Sequence, residues 1–241
     1  MPEVSAVRSG DAVVALLTSG GYRDLYYDWE QNQWEAAGLD LSSDVAGWDG
    51  LEPLLARRLS DSVTWRAVRA RSAITALVPF VDAAPTEEQQ VTLTTQLVDE
   101  ARHLVFFERY LEEVMGRVSS DDEWRRLDVP GLDRLFEPIL SEAAGRIAAG
   151  ADDALVSGVT MYHLGILALL ALPDAEDLRG LLAEAGSLPG LERGLQLETA
   201  ALSRHVAFGL RFIGDAIAND PGLTGTARKA FDQVRPLALA A

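Results

Sequence analysis

Gln96-Leu97-Val98-Asp99-Glu100-Ala101-Arg102-His103-Leu104-Val105-Phe106-Phe107 is the stretch on which the reading of this chain turns. Its apolar residues recur at helical spacing, and Glu100 and His103 sit three apart inside that pattern. Residues three apart share one helix face. A carboxylate and an imidazole on the inward face can hold one metal from inside a helix bundle. A second histidine, His205, lies in a later helical stretch, but the position three before it is Leu202. One Glu-x-x-His pair is complete and a second is not.

Outward from that stretch, nearly everything reads as helix. Four long segments are predicted to form the core, at 61–83, 87–116, 154–172 and 189–218. Ser60 and Asp61 are predicted to cap the first, and Thr86, after Pro85, the second. Asp152 and Asp153 are expected to open the third and Pro173 to end it. An aromatic-rich amphipathic segment spans 22–37, a charged connection 118–130, and a helix kinked at Pro138 spans 131–150. Shorter helices are expected near 175–185 and 225–237. No alternating run argues for a strand. The expected architecture is all-α: a four-helix bundle core with additional flanking helices, in a single domain over 1–241.

Composition narrows the function classes. The formal net charge is −16, which repels phosphate backbones, so no nucleic-acid partner is expected. There is no cysteine, which removes thiolate catalysis and cysteine-ligated metal sites. No apolar stretch reads as the ~20 uninterrupted residues of a membrane span, and no basic-then-apolar leader opens the chain. The expectation is a soluble, cytoplasmic protein.

Three blocks then carry a resemblance: Leu25-Tyr26-Tyr27-Asp28-Trp29-Glu30-Gln31-Asn32-Gln33-Trp34, Ser43-Asp44-Val45-Ala46-Gly47-Trp48, and Thr95 through His103. They resemble the ribonucleotide-reductase small-subunit-like superfamily, which is ferritin-like, and within it the ligand-binding oxidase branch with a manganese–iron or di-iron centre. The resemblance implies a centre of four carboxylates and two histidines on four helices. Glu100, His103 and His205 match ligand positions. The first-helix carboxylate, from a Gly-Glu-Glu-x-Val-Thr stretch, aligns with Arg71 in Ala70-Arg71-Ser72-Ala73-Ile74-Thr75. The third-helix carboxylate, from Tyr-x-x-x-x-Glu-Gly, aligns with Leu167, and the last with Leu202. Tyr162 matches the tyrosine that the oxidases can cross-link to a valine, and it is the candidate catalytic residue. The tail from Arg235 lacks the acidic and aromatic character by which reductase small subunits dock their large partner.

The altered positions bear on chemistry. Iron and manganese want anionic oxygen ligands. Two leucines supply neither charge nor lone pairs, and Arg71 adds a positive charge that is free to pair with Glu100. Glu100, His103 and His205 together have the composition of a mononuclear facial triad. His205 can otherwise be a core histidine bonded to a backbone carbonyl or to Glu198. His163 and Glu198, each one turn from a lost ligand, are possible supporting residues of a relocated site.

The reading that follows is a degenerate dinuclear site in a metal-poor or metal-free protein that binds an apolar or lipid-like small molecule, as a homodimer. The alternative is a non-haem iron or manganese oxidase or oxygenase using Glu100, His103 and His205 in a rearranged site. The expected cofactor is none, or iron or manganese if a metal binds.

Overall fold

A computed structural model of the chain describes residues 9–117, 139–151, 153–186 and 188–239. The expected connection at 118–130 and the Pro138 kink lie outside the described residues. Among the described residues there are helices and no strand. In chain order they are α1 (Ser9–Ser19), α2 (Tyr22–Gln31), α3 (Ser42–Asp49), α4 (Pro53–Ala76), α5 (Val78–Asp82), α6 (Glu87–Glu113) and α7 (Ser141–Ala148). A continuous helical run follows: α8 (Ala154–Val159), a π-helical segment (Thr160–Ala171) and α9 (Leu172–Ala185). Then come α10 (Pro189–Asn219) and α11 (Leu223–Ala238).

The helix starts show what sequence reading caught and missed. Thr86 caps α6 as expected, its hydroxyl accepting from the Gln89 amide at 3.3 Å. α4 begins eight residues before Asp61, at Pro53. Glu52 is its cap and accepts from the Leu54 and Leu55 amides at 3.0 and 3.2 Å. Proline at the first helical position forfeits nothing there, since that amide has no intrahelical partner anyway. Pro173 is a different case, because the π-helical segment Thr160–Ala171 runs directly into it. It does not end the third core helix but sits at the start of α9, within the unbroken run Ala154–Ala185. That run ends at Gly186, whose φ of 82° is one that glycine adopts at little cost.

α4, α6, the run Ala154–Ala185 and α10 form the core, and α11 covers the π-helical segment. α4 buries Leu55, Leu59, Val63, Ala67, Ala70 and Ala73 at three- and four-residue spacing, the periodicity of an amphipathic helix. Close approach needs glycine at several places, two of them deep in α10. A Cβ on Gly194 would collide with the Phe106 ring, and one on Gly209 with His163. α10 is anchored at its start by Asp44 of α3. That buried carboxylate accepts from the Gly190 and Leu191 amides at 2.9 and 2.8 Å and from Tyr110 Oη at 3.0 Å.

The run Ala154–Ala185 is long and apolar enough to cross a membrane by length and composition. Sequence reading set the stretch aside because Ser157, Thr160, Tyr162 and His163 interrupt it, and these leave its hydropathy high enough for a span. Its most apolar window is 72% buried inside the bundle, as a core helix requires.

Candidate functional site

Between two apolar clusters, the inner faces of α4, α6, the π-helical segment and α10 meet on charged and polar side chains. Glu100 is fully buried. Its Oε1 accepts from Arg69 Nη1 at 2.9 Å and from Tyr162 Oη at 3.0 Å, and Oε2 lies 3.4 Å from His103 Nδ1. Glu198 is equally buried. It accepts from Arg69 Nη2 at 3.1 Å and from Arg66 Nε at 2.9 Å. Arg69 therefore spans two buried carboxylates with two arms of one guanidinium. Arg66 goes on to pair with Asp174 near the start of α9.

A second knot adjoins the first. Asp99 Oδ2 takes Arg204 Nη2 at 2.7 Å and His205 Nε2 at 3.1 Å. Asp99 Oδ1 accepts from Trp29 Nε1 at 2.9 Å. His205 Nδ1 sits 3.7 Å from Glu100 Oε1, too far for a hydrogen bond. His163 Nε2 lies 2.9 Å from Gln96 Oε1 and its Nδ1 3.1 Å from the Val159 carbonyl; the neutral ring has one N–H and donates to one of these two oxygens.

Several expectations need correction here. The arginine on Glu100 is Arg69, not Arg71. Two residues along a helix rotate a side chain by about 200°, so Arg71 faces outward. Its side chain is 40% exposed and pairs with Glu108 at 2.7 Å. The first-helix position that faces Glu100 is thus two residues earlier than the short motif suggests. His205 bonds Asp99, neither a backbone carbonyl nor Glu198. Glu198 serves the arginines, and His163 serves Gln96. Tyr162 reaches Glu100 and donates to it. Leu167 and Leu202 lie in the core at 0% and 1% exposure.

The electrostatics follow from this geometry. Burial alone would raise the Glu100 carboxyl. The Arg69 guanidinium overrides that, helped by His103 and His205, and holds it far below the usual carboxylate range. Burial likewise works against the charge on Arg69, but Glu100 and Glu198 keep it ionised, with its pKa raised. Burial pushes Asp99 up; the hydrogen bond from His205 and the charges of His205 and Arg204 bring it down to about 2. Burial lowers both His205, with Arg204 adding to it, and His163, which falls to about 3 with His205 adding to it.

These histidines set a pH dependence. An unfolded imidazole protonates near 6.5, whereas folded His163 resists until about 3. The stability this contributes is complete above about pH 6.5. It is lost as pH falls from there toward the folded value, by about 1.4 kcal/mol per unit for His163, and His205 adds loss in the same direction. Asp99 adds loss only below about pH 3.9. Urea midpoints measured from pH 7 to 5 are expected to fall steadily, and His163→Gln to reduce that slope.

No known protein-family profile matches the sequence. The fold has close counterparts among solved structures. A glycine-to-phenylalanine variant of an R2-like ligand-binding oxidase with an anaerobically reconstituted Mn/Fe cofactor superposes with a TM-score of 0.82 at 22% identity, covering 92% of this chain and 84% of that one. This chain has the fold of an R2-like ligand-binding oxidase. Another structure of such an oxidase, with an aerobically reconstituted metal cofactor after photoconversion, gives 0.79 at 22% identity over 91% and 78% of the two chains. A tyrosine-to-phenylalanine variant, aerobically reconstituted with Mn/Fe, gives 0.78 at 22% over 91% and 81%.

The residues present do not fit a Mn/Fe centre. Among the described residues, no group of three or more His, Asp or Glu side chains is arranged to hold a metal ion. Glu198 spends both oxygens on arginine and Glu100 one, and a permanent cation lies between them. In this network three buried arginines (Arg66, Arg69, Arg204) face three buried carboxylates (Asp99, Glu100, Glu198). These six charges cancel with no further positive charge. Leu167 and Leu202 each gain about 1.5–3 kcal/mol from burial, where a carboxylate without a metal would be penalised.

Arg66, Arg69, Asp99 and Gln96 were not singled out from sequence. One signal was available for the arginines. Arg66 and Arg69 stand three apart on the face of α4 that also carries Val63, Ala70 and Ala73. Charges there need buried partners.

Proposed function

We propose that this protein is a metal-independent binding protein on an oxidase fold, its dinuclear centre replaced by an arginine–carboxylate network. The observation that carries this reading is Arg69 bridging Glu100 and Glu198. A guanidinium there supplies positive charge to carboxylates that would otherwise need a metal to stay ionised in the core. The bound molecule we propose is apolar, a lipid-like small molecule. Two leucines at lost ligand positions support this by making the interior less polar, and the solved proteins of this fold are themselves named as ligand-binding.

A homodimer belongs to the same proposal. Val91, Val98 and Val105 on α6 are 46%, 38% and 44% exposed at seven-residue spacing, the repeat of a helix-packing seam. The proposed location is the cytoplasm, with the span-length helix committed to the bundle interior.

The alternative, an iron or manganese oxidase using Glu100, His103 and His205, has one observation in its favour. His103 Nε2 and His205 Nδ1 are buried without a hydrogen-bond partner, as ligating nitrogens are before a metal arrives. Against it stands the Arg69 charge on the only carboxylate of that trio. Elemental analysis after expression with iron and manganese supplied separates the readings. Near-zero metal is expected, with native mass spectrometry of the same sample showing a dimer and a co-purifying apolar molecule. One or two metals per chain, lost in His103→Ala, would establish the oxidase reading instead.

A further inference from the structure

Away from the core, a cleft of about 540 Å³ opens between the start of α2, the start of α6 and the end of α10. Tyr22, Glu87, Glu88, Gln89, Asp215 and Asn219 line it. We propose that this cleft is a binding site for a small organic ammonium ion.

The argument begins with a hydrogen-bond chain. Tyr22 Oη donates its one proton to Asp215 Oδ2 at 2.7 Å. Its oxygen is then free only to accept, which it does from Gln89 Nε2 at 3.1 Å. That fixes the amide orientation and leaves Gln89 Oε1 as the spare group. Gln89 is 7% exposed and its Oε1 has no partner. A buried acceptor left unmade costs about 1–3 kcal/mol, and a donor arriving in the cleft relieves it.

The remaining lining asks for the same chemistry. Glu87, Glu88 and Asp215 are carboxylates, and none of the lining residues is cationic. Asn219 closes α10, a 31-residue helix, whose C-terminal end carries the negative pole of its dipole. The positive pole of α6 is met by Glu87 and Glu88 in its own first turn. Two cations stand nearby. Arg23 is engaged with Glu88 at 2.9 Å in an exposed pair. Arg211, one turn before Asp215, donates to the Leu17 carbonyl at 2.8 Å. They offset part of the negative charge and leave an excess. Burial, with Asp215 adding to it, raises the Tyr22 pKa, so the hydroxyl keeps the proton on which the chain depends.

Acceptors, negative charge and one orphaned amide oxygen select a donor-rich cation and exclude an anion. Size selects an organic one. The volume falls within the ~300–1,000 Å³ of small-molecule sites, far beyond a single metal ion. The site owes nothing to the core network, so its fate is separate from the reading above.

The probe is 1,4-diaminobutane, titrated into the full chain at physiological salt and followed by backbone amide NMR. Expected is saturable binding of one molecule per chain, with shifts confined to residues 86–89 and 215–219. Asp215→Asn, which keeps the Tyr22 hydrogen bond, is expected to weaken binding about tenfold or more. Glu184→Gln, on the distant α9, is expected to leave it unchanged. If Asp215→Asn does not fold by circular dichroism, Gln89→Leu takes its place with the same expectation. Equal weakening by Glu184→Gln would reduce the effect to diffuse attraction by an acidic chain and overturn the proposal. So would a non-saturating titration, or Mg²⁺ saturating these residues where the diamine does not.

Discussion

Arg69→Met is expected to lower the unfolding free energy by about 3–5 kcal/mol, the cost of stranding one side of a buried ion pair. The methionine fills much of the same volume, so the loss is electrostatic rather than a cavity effect. Glu198 keeps Arg66. Glu100 keeps only Tyr162 and the long contact to His103. Glu100 thus bears most of the penalty, and its carboxyl rises once the largest opposing influence on its burial is gone. Urea denaturation at neutral pH reads the first effect. The second appears as a narrowing of the gap to the natural chain when pH is lowered toward the range where a carboxyl protonates, against the fall that the histidines impose on both. Arg71→Met serves as the contrast. Its pair with Glu108 is 40% and 26% exposed, and exposed pairs contribute about 0–1 kcal/mol. Equal losses at the two positions would mean that Arg69 does not hold the core together.

The contrast between these arginines shows what was legible in the sequence. The helices were, because apolar residues at three- and four-residue spacing leave few alternatives over segments this long. So was the cap at Thr86, which is local chemistry. Pro173 misled, because the helical run continues through it, and the start at Pro53 was missed because Ser60 and Asp61 offered cap residues inside what is one longer helix. At the site, Glu100 and His103 could be found, since a short spacing on one helix identifies them, and Tyr162 was picked out by the resemblance. Which arginine meets Glu100 could not be read the same way. That depends on rotation about α4 relative to a helix some thirty residues away, and an error of two residues exchanges inside for outside. Asp99 was hidden for another reason. It adjoins Glu100 in sequence, and only the packing of α10 and α2 shows it to be a second buried anion with its own arginine, histidine and tryptophan.

If an arginine and two leucines displaced the metal, reversing them should recover it. The triple variant Arg69→Glu, Leu167→Glu, Leu202→Glu is expected to take up about two iron or manganese ions per chain, the complement of a four-carboxylate, two-histidine bundle site, and the natural chain is expected to take up almost none. The three new carboxylates join Glu100, His103 and His205. With no metal present they place several negative charges in a core whose cation has been removed, so the apo form is expected to be largely unfolded. Binding then becomes folding free energy, and the melting temperature should rise steeply with added metal. Arg69→Glu alone separates charge from coordination. It sets a third carboxylate against Glu100 and Glu198 while the leucines still withhold ligands, so it should destabilise more than Arg69→Met and be rescued poorly by metal. Elemental analysis and thermal melts with and without Fe²⁺ or Mn²⁺ read both outcomes. A triple variant that folds without metal and ignores it when offered would show that Arg69, Leu167 and Leu202 do not surround a common point. The metal-free reading would then lose its explanation in the charge that Arg69 places between Glu100 and Glu198.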